Sequence, residues 1–428
     1  MAKLLMTVWP FPTHLQPQIA VAHALRERGH DAVFYTAASA APLLEGEGFR
    51  CFPFRRLNWS RVEAIVDELV SQPKRTLGTR TLWRRFLVDT LPDQLEDLEP
   101  LVGEWRPDAV VCDLSMWGPI LFLNEECRLP VAVLSHLAYC LLPGSEGRVP
   151  GVAIARKEKG RKGLRARLPS WLIQWLLRSV PRAADRLRQD RGLRPLGTKV
   201  TEFIGTMPLY LIPGIRDLDY GRHDLPASVH YVGPCLWRNG NETPPAWTRQ
   251  LPPDRPCVLA EEGALYTPQA PALEAVARGL AELPLQVVVL AGKGRRPGSP
   301  SLGRLGSNVR FEAWTPLHHV LPLADVVVTT GNTESVLAAL MEGLPLVVAP
   351  SLWDQTEVAL RIEEAGAGLC LRPGDCTPEH LRQAVETVRT TSGFGRKARQ
   401  LGEALTQCDG PGRAAQLLEE LIRDERTS

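Results

Sequence analysis

Residues 313–359 read AWTPLHHVLPLADVVVTTGNTESVLAALMEGLPLVVAPSLWDQTEVA, and this stretch decides the fold. The apolar run 325–329 spells a buried strand rich in valine. A Thr329-Thr330-Gly331 turn follows, and apolar residues then recur at helical spacing over 332–342. A second apolar strand over 346–349 ends in Pro350-Ser351-Leu352-Trp353-Asp354-Gln355. Strand, helix and strand in this order make a parallel crossover unit, with its ligand site at the carboxyl ends of the strands. The turn aims free N–H groups of a helix start at one spot, which suits a phosphorylated ligand.

The same alternation runs outward in both directions. Toward the N-terminus, strands are expected over 3–9, 31–36, 50–54, 109–113 and 131–135, with helices over 16–28 and 117–126. After residue 256, strands are expected over 257–260, 286–291, 309–313, 325–329, 346–349 and 368–371. This predicts an α/β chain with two doubly wound, Rossmann-like domains. A length of 428 residues fits two domains. The Pro/Gly/Asn-rich passage 233–256 reads as the linker between a first domain at 1–232 and a second at 257–409. Two helical insertions interrupt the first domain, one including a helix over 81–101 and one over 150–194.

Composition narrows the function classes. No apolar run reaches the roughly 18 residues of a spanning helix, and residues 4–9 are too short for a signal segment. The 9 cysteines show neither a CxxC pair nor metal-ligand spacing with histidine, as expected of a cytoplasmic protein without structural zinc. Net charge is +2, but Arg148 to Lys199 carries 15 basic residues against 3 acidic ones. The Trp/Leu-rich run 168–178 beside that charge makes either an acceptor-pocket helix or a peripheral contact with the inner membrane face. Nucleic acid is not an expected partner, because no basic–aromatic interleaving or known module is present. The sequence leaves monomer and homodimer equally open.

Four places carry candidate chemistry. His14, in Phe11-Pro12-Thr13-His14-Leu15-Gln16-Pro17, follows the first strand; it reads as a general base or as a turn residue capping the next helix. Asp113 ends the strand 109–113, where a carboxylate would orient such a histidine or cap the following helix. Trp314 stands at a strand end and either stacks on a base or packs in the core. Asp354 and Gln355 bring a carboxylate and an amide to the last crossover, as sugar hydroxyl partners or as a helix cap.

The segments Trp314-Thr315-Pro316, Asp354-Gln355, Pro107-Asp108-Ala109-Val110-Val111-Cys112-Asp113 and Arg28-Gly29-His30 resemble the GT-B glycosyltransferases that act on small lipophilic acceptors. This family includes plant secondary-metabolite and bacterial antibiotic and macrolide glycosyltransferases. The resemblance implies two domains facing across a cleft, with a C-terminal helix over 410–428 packing back across the gap. It implies inverting, metal-independent transfer of a sugar from a nucleoside diphosphate, UDP- or dTDP-linked, to a hydroxyl of a lipophilic acceptor, with no further cofactor. His14 would be the base and Asp113 its orienting partner. Gly263, Trp314, Thr330, Gly331, Asn332, Thr333, Ser335, Asp354 and Gln355 would hold the nucleotide sugar. The chain departs from the pattern at Thr330, where histidine is usual, and at Asn332 and Glu334. It departs again at Ala264, which lacks the usual hydroxyl, and at Val358. Glu334 is expected to turn to solvent, away from the diphosphate. The rival readings are a non-catalytic partner of a second glycosyltransferase, a sugar-nucleotide epimerase of similar architecture, and a glycolipid glycosyltransferase at the membrane surface.

Overall fold

A computed structural model describes residues 1–71, 76–135, 179–198, 200–219, 222–238, 242–262, 271–291, 305–312, 315–351, 354–372 and 374–427. The readings made for Gly263, Ala264, Trp314 and the segment 148–178 lie outside these residues. The chain forms two units. One comprises Met1–Pro213, His223–Tyr231 and Pro411–Ser428, and the other Gly214–Arg222 and Val232–Gly410.

The strands of the first unit are β1 (Lys3–Thr7), β2 (Asp31–Thr36), β3 (Arg50–Pro53), β4 (Ala109–Asp113), β5 (Val131–Leu134), β6 (Leu209–Ile212) and β7 (Val229–Tyr231). They form one parallel sheet in the order β3-β2-β1-β4-β5-β6-β7. The strand order reverses between β1 and β4, where Leu5 lies opposite Val110. Leu4, Leu5, Met6, Val110 and Val111 are fully buried, without alternation along the strand. Helices cover both faces of such a sheet, so successive side chains meet apolar surroundings. The helices are α1 (Pro12–Glu27), α2 (Ala41–Gly46), α3 (Trp59–Ser71), α4 (Thr76–Leu87), α5 (Leu91–Trp105), α6 (Ser179–Asp190) and α7 (Val200–Ile204). A π-helical turn, Pro119–Leu123, follows β4.

The second unit holds β8 (Cys257–Glu261), α8 (Pro271–Gly279), β9 (Gln286–Leu290), β10 (Val309–Glu312), β11 (Val326–Thr329), α9 (Thr333–Met341), β12 (Leu346–Val348), α10 (Gln355–Ala365), β13 (Gly368–Cys370), α11 (Pro378–Thr390) and α12 (Ser392–Thr406). Its parallel sheet runs β10-β9-β8-β11-β12-β13, with the reversal between β8 and β11. Gly402 lets α12 approach α9, because a Cβ there would stand 2.1 Å from the Leu340 carbonyl oxygen. The final helix, α13 (Gly410–Thr427), packs with the first unit. Its Glu419 accepts hydrogen bonds from His30 Nε2 at 2.7 Å and from Arg28 Nη2 at 2.5 Å.

Three local expectations change. The helix expected from residue 16 begins at Pro12, because proline suits a first helical position, and Pro17 is carried inside it. The single helix expected over 81–101 is two helices, α4 and α5. They part where Asp89 accepts from Arg84 Nε at 3.2 Å and the Thr90 hydroxyl donates to the Phe86 carbonyl at 2.8 Å. The strands β6 and β7 were not expected, since runs of 4 and 3 residues are too short to show a period. Within the charged segment, two arginines are structural. Arg188 is 1% exposed and donates to Glu125 at 2.8 Å, while Arg191 pairs with Glu126 and Glu99. Among the described residues no helix is long and apolar enough to cross a membrane.

Candidate active site

Both sheets reverse strand order beside the residues singled out in the sequence, which is where open α/β sheets bind ligands. In the first unit, α1 starts after β1, and Phe11 precedes its first turn. His14 therefore lies in the first helical turn rather than in a loop, with its amide donating to the Phe11 carbonyl at 3.0 Å. Its ring does not cap the helix. Nδ1 stands 2.6 Å from Asp113 Oδ2, at the end of β4.

Asp113 is 2% exposed. Its second oxygen, Oδ1, accepts from the Ser115 amide and from the Ser115 hydroxyl, each at 2.8 Å. An ionised carboxylate only accepts, so in the neutral imidazole this contact favours the proton on Nδ1 and the lone pair on Nε2. That is the tautomer of a general base. Phe11 meets the His14 ring edge-on at 5.2 Å between centroids, and Trp59 meets Phe11 at the same spacing. Behind them Trp9, fully buried, touches Trp59, Phe54 and Phe86. These aromatics were not anticipated, because Trp59 and Phe86 lie in an insertion whose helical spacing marks only a buried face.

In the second unit, β11 ends in Thr329 and α9 begins at Thr333. Gly331 has φ of +96°, and a Cβ there would lie 2.9 Å from Val348 Cγ1 and 3.1 Å from the Gln355 carbonyl oxygen. The turn thus needs glycine twice over, for its backbone and for its space. Gln355 Nε2 donates to the Thr330 hydroxyl at 3.3 Å, which donates to the Glu262 carbonyl at 3.1 Å. Gln355 Oε1 accepts from the Ser351 amide at 2.9 Å. Asp354 starts α10, yet its carboxylate makes no capping bond to that helix. Thr330, Gly331, Asn332, Thr333, Ser335, Asp354 and Gln355 therefore share one edge of the sheet, while Gly263 and Trp314 lie outside the described residues.

The electrostatics of this turn differ from the expectation. Glu334 is only partly exposed rather than turned fully to solvent. Burial, with the nearby Glu261 carboxylate second, raises its pKa from 4.5 to about 7. Glu261 and Glu262 are each 4% exposed at the end of β8. The Thr329 hydroxyl donates to Glu261 Oε1. Sequence reading passed over Glu261 because it follows an apolar run and looks like an exposed strand end. Among the described residues no three His, Cys, Asp or Glu side chains are grouped to hold a metal ion.

Residues 275–421 match the erythromycin biosynthesis protein CIII-like C-terminal domain. The chain is 29% identical over 429 residues to 4'-demethylrebeccamycin synthase of Lentzea aerocolonigenes, covering 98% of this chain and all of that one. It is 27% identical over 430 residues to demethyllactenocin mycarosyltransferase of Streptomyces fradiae, covering 99% of this chain and 87% of that one. A spinosyn rhamnosyltransferase solved with thymidine diphosphate superposes with a TM-score of 0.68 at 22% identity, covering 98% of this chain and all of that one. Two parallel-sheet Rossmann-like units give the chain the GT-B fold, and along nearly its whole length it is similar to glycosyltransferases of natural-product biosynthesis.

Proposed function

We propose that the chain transfers a sugar, with inversion and without a metal ion, from a UDP- or dTDP-linked donor to a hydroxyl of a lipophilic small molecule. The observation that carries this reading is the pairing of His14 Nδ1 with Asp113 Oδ2 at 2.6 Å. His14 Nε2 takes the proton of the acceptor hydroxyl as its oxygen attacks the anomeric carbon. The bond from that carbon to the diphosphate oxygen breaks, and the nucleoside diphosphate leaves with the electron pair. Asp113 stays ionised and stabilises the imidazolium. The aromatic shell of Phe11, Trp59 and Trp9 supports an apolar acceptor beside the base. Asp354 and Gln355, at the start of α10, bring a carboxylate and an amide that suit the sugar hydroxyls. Thr330, Thr333 and Ser335 offer hydroxyls to the diphosphate.

The test is single-turnover transfer by intact protein with UDP- and dTDP-sugars and a panel of apolar alcohols and phenols. Product configuration is read by NMR, with and without a chelator. His14→Gln should lower the rate by roughly 10²–10⁴ and leave donor affinity unchanged. A retained configuration, or a rate that chelation abolishes, would overturn the mechanism. A non-catalytic role is favoured by one observation, the carboxylates of Glu261 and Glu334 beside the donor turn. Failure of every nucleoside diphosphate to bind at millimolar concentration would establish it.

A further inference from the structure

Several of the N–H groups that open α9, and that a donor phosphate would use, are already occupied by the protein itself. Asn332 precedes α9, and its Oδ1 accepts from the Glu334 amide at 3.0 Å and from the Ser335 amide at 3.5 Å. The Gly331 amide donates to the Thr329 hydroxyl at 3.1 Å, which itself donates a hydrogen bond to Glu261 Oε1. The Val336 amide is bound to the Asn332 carbonyl at 3.0 Å, as in any helix. The Thr333 hydroxyl is the exception on this turn: its oxygen is buried and makes no hydrogen bond. A helix start offers an anion its first N–H groups and its dipole, and a capping side chain takes the same groups.

We infer that Asn332 is an internal competitor of the donor diphosphate. Its amide oxygen holds the α9 N–H groups while the nucleotide is absent, and it must rotate away before a phosphate oxygen can take its place. This deepens the donor reading given above and rests on it. Asn332 is only partly buried, so its side chain has somewhere to go. The binding-competent turn is then a minority state, and apparent affinity falls by the fraction of molecules that occupy it. The cap acts as a threshold on donor binding. Only a ligand that offers an anionic oxygen to both amides recovers what the displaced side chain gives up.

The experiment is calorimetric binding of UDP and dTDP to the intact protein and to Asn332→Ala, Asn332→Gly and Asn332→Asp, with melting of each protein alone and at saturation. Losing a helix cap shifts the free protein by roughly a fivefold equilibrium factor for alanine and less than about twofold for glycine. Asn332→Ala should therefore bind about fivefold more tightly and melt lower when free, and the melting difference should vanish at saturation. Asn332→Asp, a charged cap in the same place, should bind at least about tenfold more weakly while melting no lower. The aspartate variant retains a cap, so it carries the test even where the alanine variant does not fold. Unchanged affinity in all three variants, or weaker binding by alanine and glycine, would overturn the inference while leaving the donor site standing. Absence of binding by the unaltered protein and every variant would remove the donor reading and this inference together.

Discussion

Ser115 gives both its amide and its hydroxyl to one oxygen of Asp113, each at 2.8 Å, and so reserves the other oxygen for His14. The carboxylate is held on both sides before any substrate arrives. Asp113→Asn should invert the preferred histidine tautomer and lower transfer by roughly 10³–10⁴, as loss of an orienting carboxylate does elsewhere. Ser115→Ala removes one hydrogen bond of about 1 kcal/mol and should lower transfer about fivefold. Single-turnover rates across pH check both. An Asp113→Asn enzyme slowed less than tenfold would take Asp113 out of the mechanism.

Glu334 ties stability to pH. Its folded-state pKa is raised from 4.5 to about 7, so the folded protein holds this proton more tightly than the unfolded chain does. The group's stabilisation is fully present below about 4.5 and is lost as pH rises through about 7. Glu334→Gln should match the unaltered protein near pH 4 and exceed it at pH 8 by up to about 3 kcal/mol. Urea unfolding at the two pH values measures the difference. An equal difference at both would mean that Glu334 ionises normally.

Arg361 is 5% exposed and donates to Asp219 through Nη2 at 3.0 Å and through Nε at 3.2 Å. It also pairs with Glu357 at 3.2 Å, one turn earlier on α10. The side chains of Asp219 and Glu357 are 0% and 1% exposed. Arg361→Met removes a buried guanidinium from two buried carboxylates and should cost about 3–5 kcal/mol. Adding Asp219→Asn and Glu357→Gln should recover much of that loss, because the buried negative charge that Arg361 offset goes with them. Thermal melting of the single and triple variants decides it, and a triple variant no more stable than the single one would count against the charge explanation.

Gly402 sits where α12 crosses α9, with a Cβ position 2.1 Å from the Leu340 carbonyl oxygen. Gly402→Ala must push the two helices apart and should destabilise the second unit by about 1–3 kcal/mol. Since α9 begins at the donor turn, the same change should weaken nucleoside diphosphate binding without altering the His14 pairing. Calorimetry and melting together check this, and unchanged affinity in a destabilised variant would uncouple the crossing from the turn.

Much of this was legible from residue order. The run 325–349 showed its strand, turn, helix and strand, because valine-rich strands and a glycine turn are local signals. His14 and Asp113 could be paired before their distance was known, since each follows or ends a strand of one parallel sheet. What stayed hidden was non-local. Nothing beside Asn332 in the sequence says that its side chain turns back onto the helix it begins rather than out to a ligand. The raised pKa of Glu334 comes first from burial that local pattern does not report, and then from Glu261, 73 positions earlier. The first helix begins at Pro12 rather than at residue 16, and carries Pro17 one turn inside it.

The helix α13 has a consequence for how the protein is made. Residues Pro411–Ser428 belong to the unit that Met1 begins, although the whole second unit is translated between them. Glu419 meets His30 across 389 positions. A ribosome can therefore release the second unit's sheet in full while the first unit still lacks one of its covering helices. The N-terminal half emerges first and is finished last, and a stop codon near residue 410 would injure the end of the molecule that was synthesised at the outset.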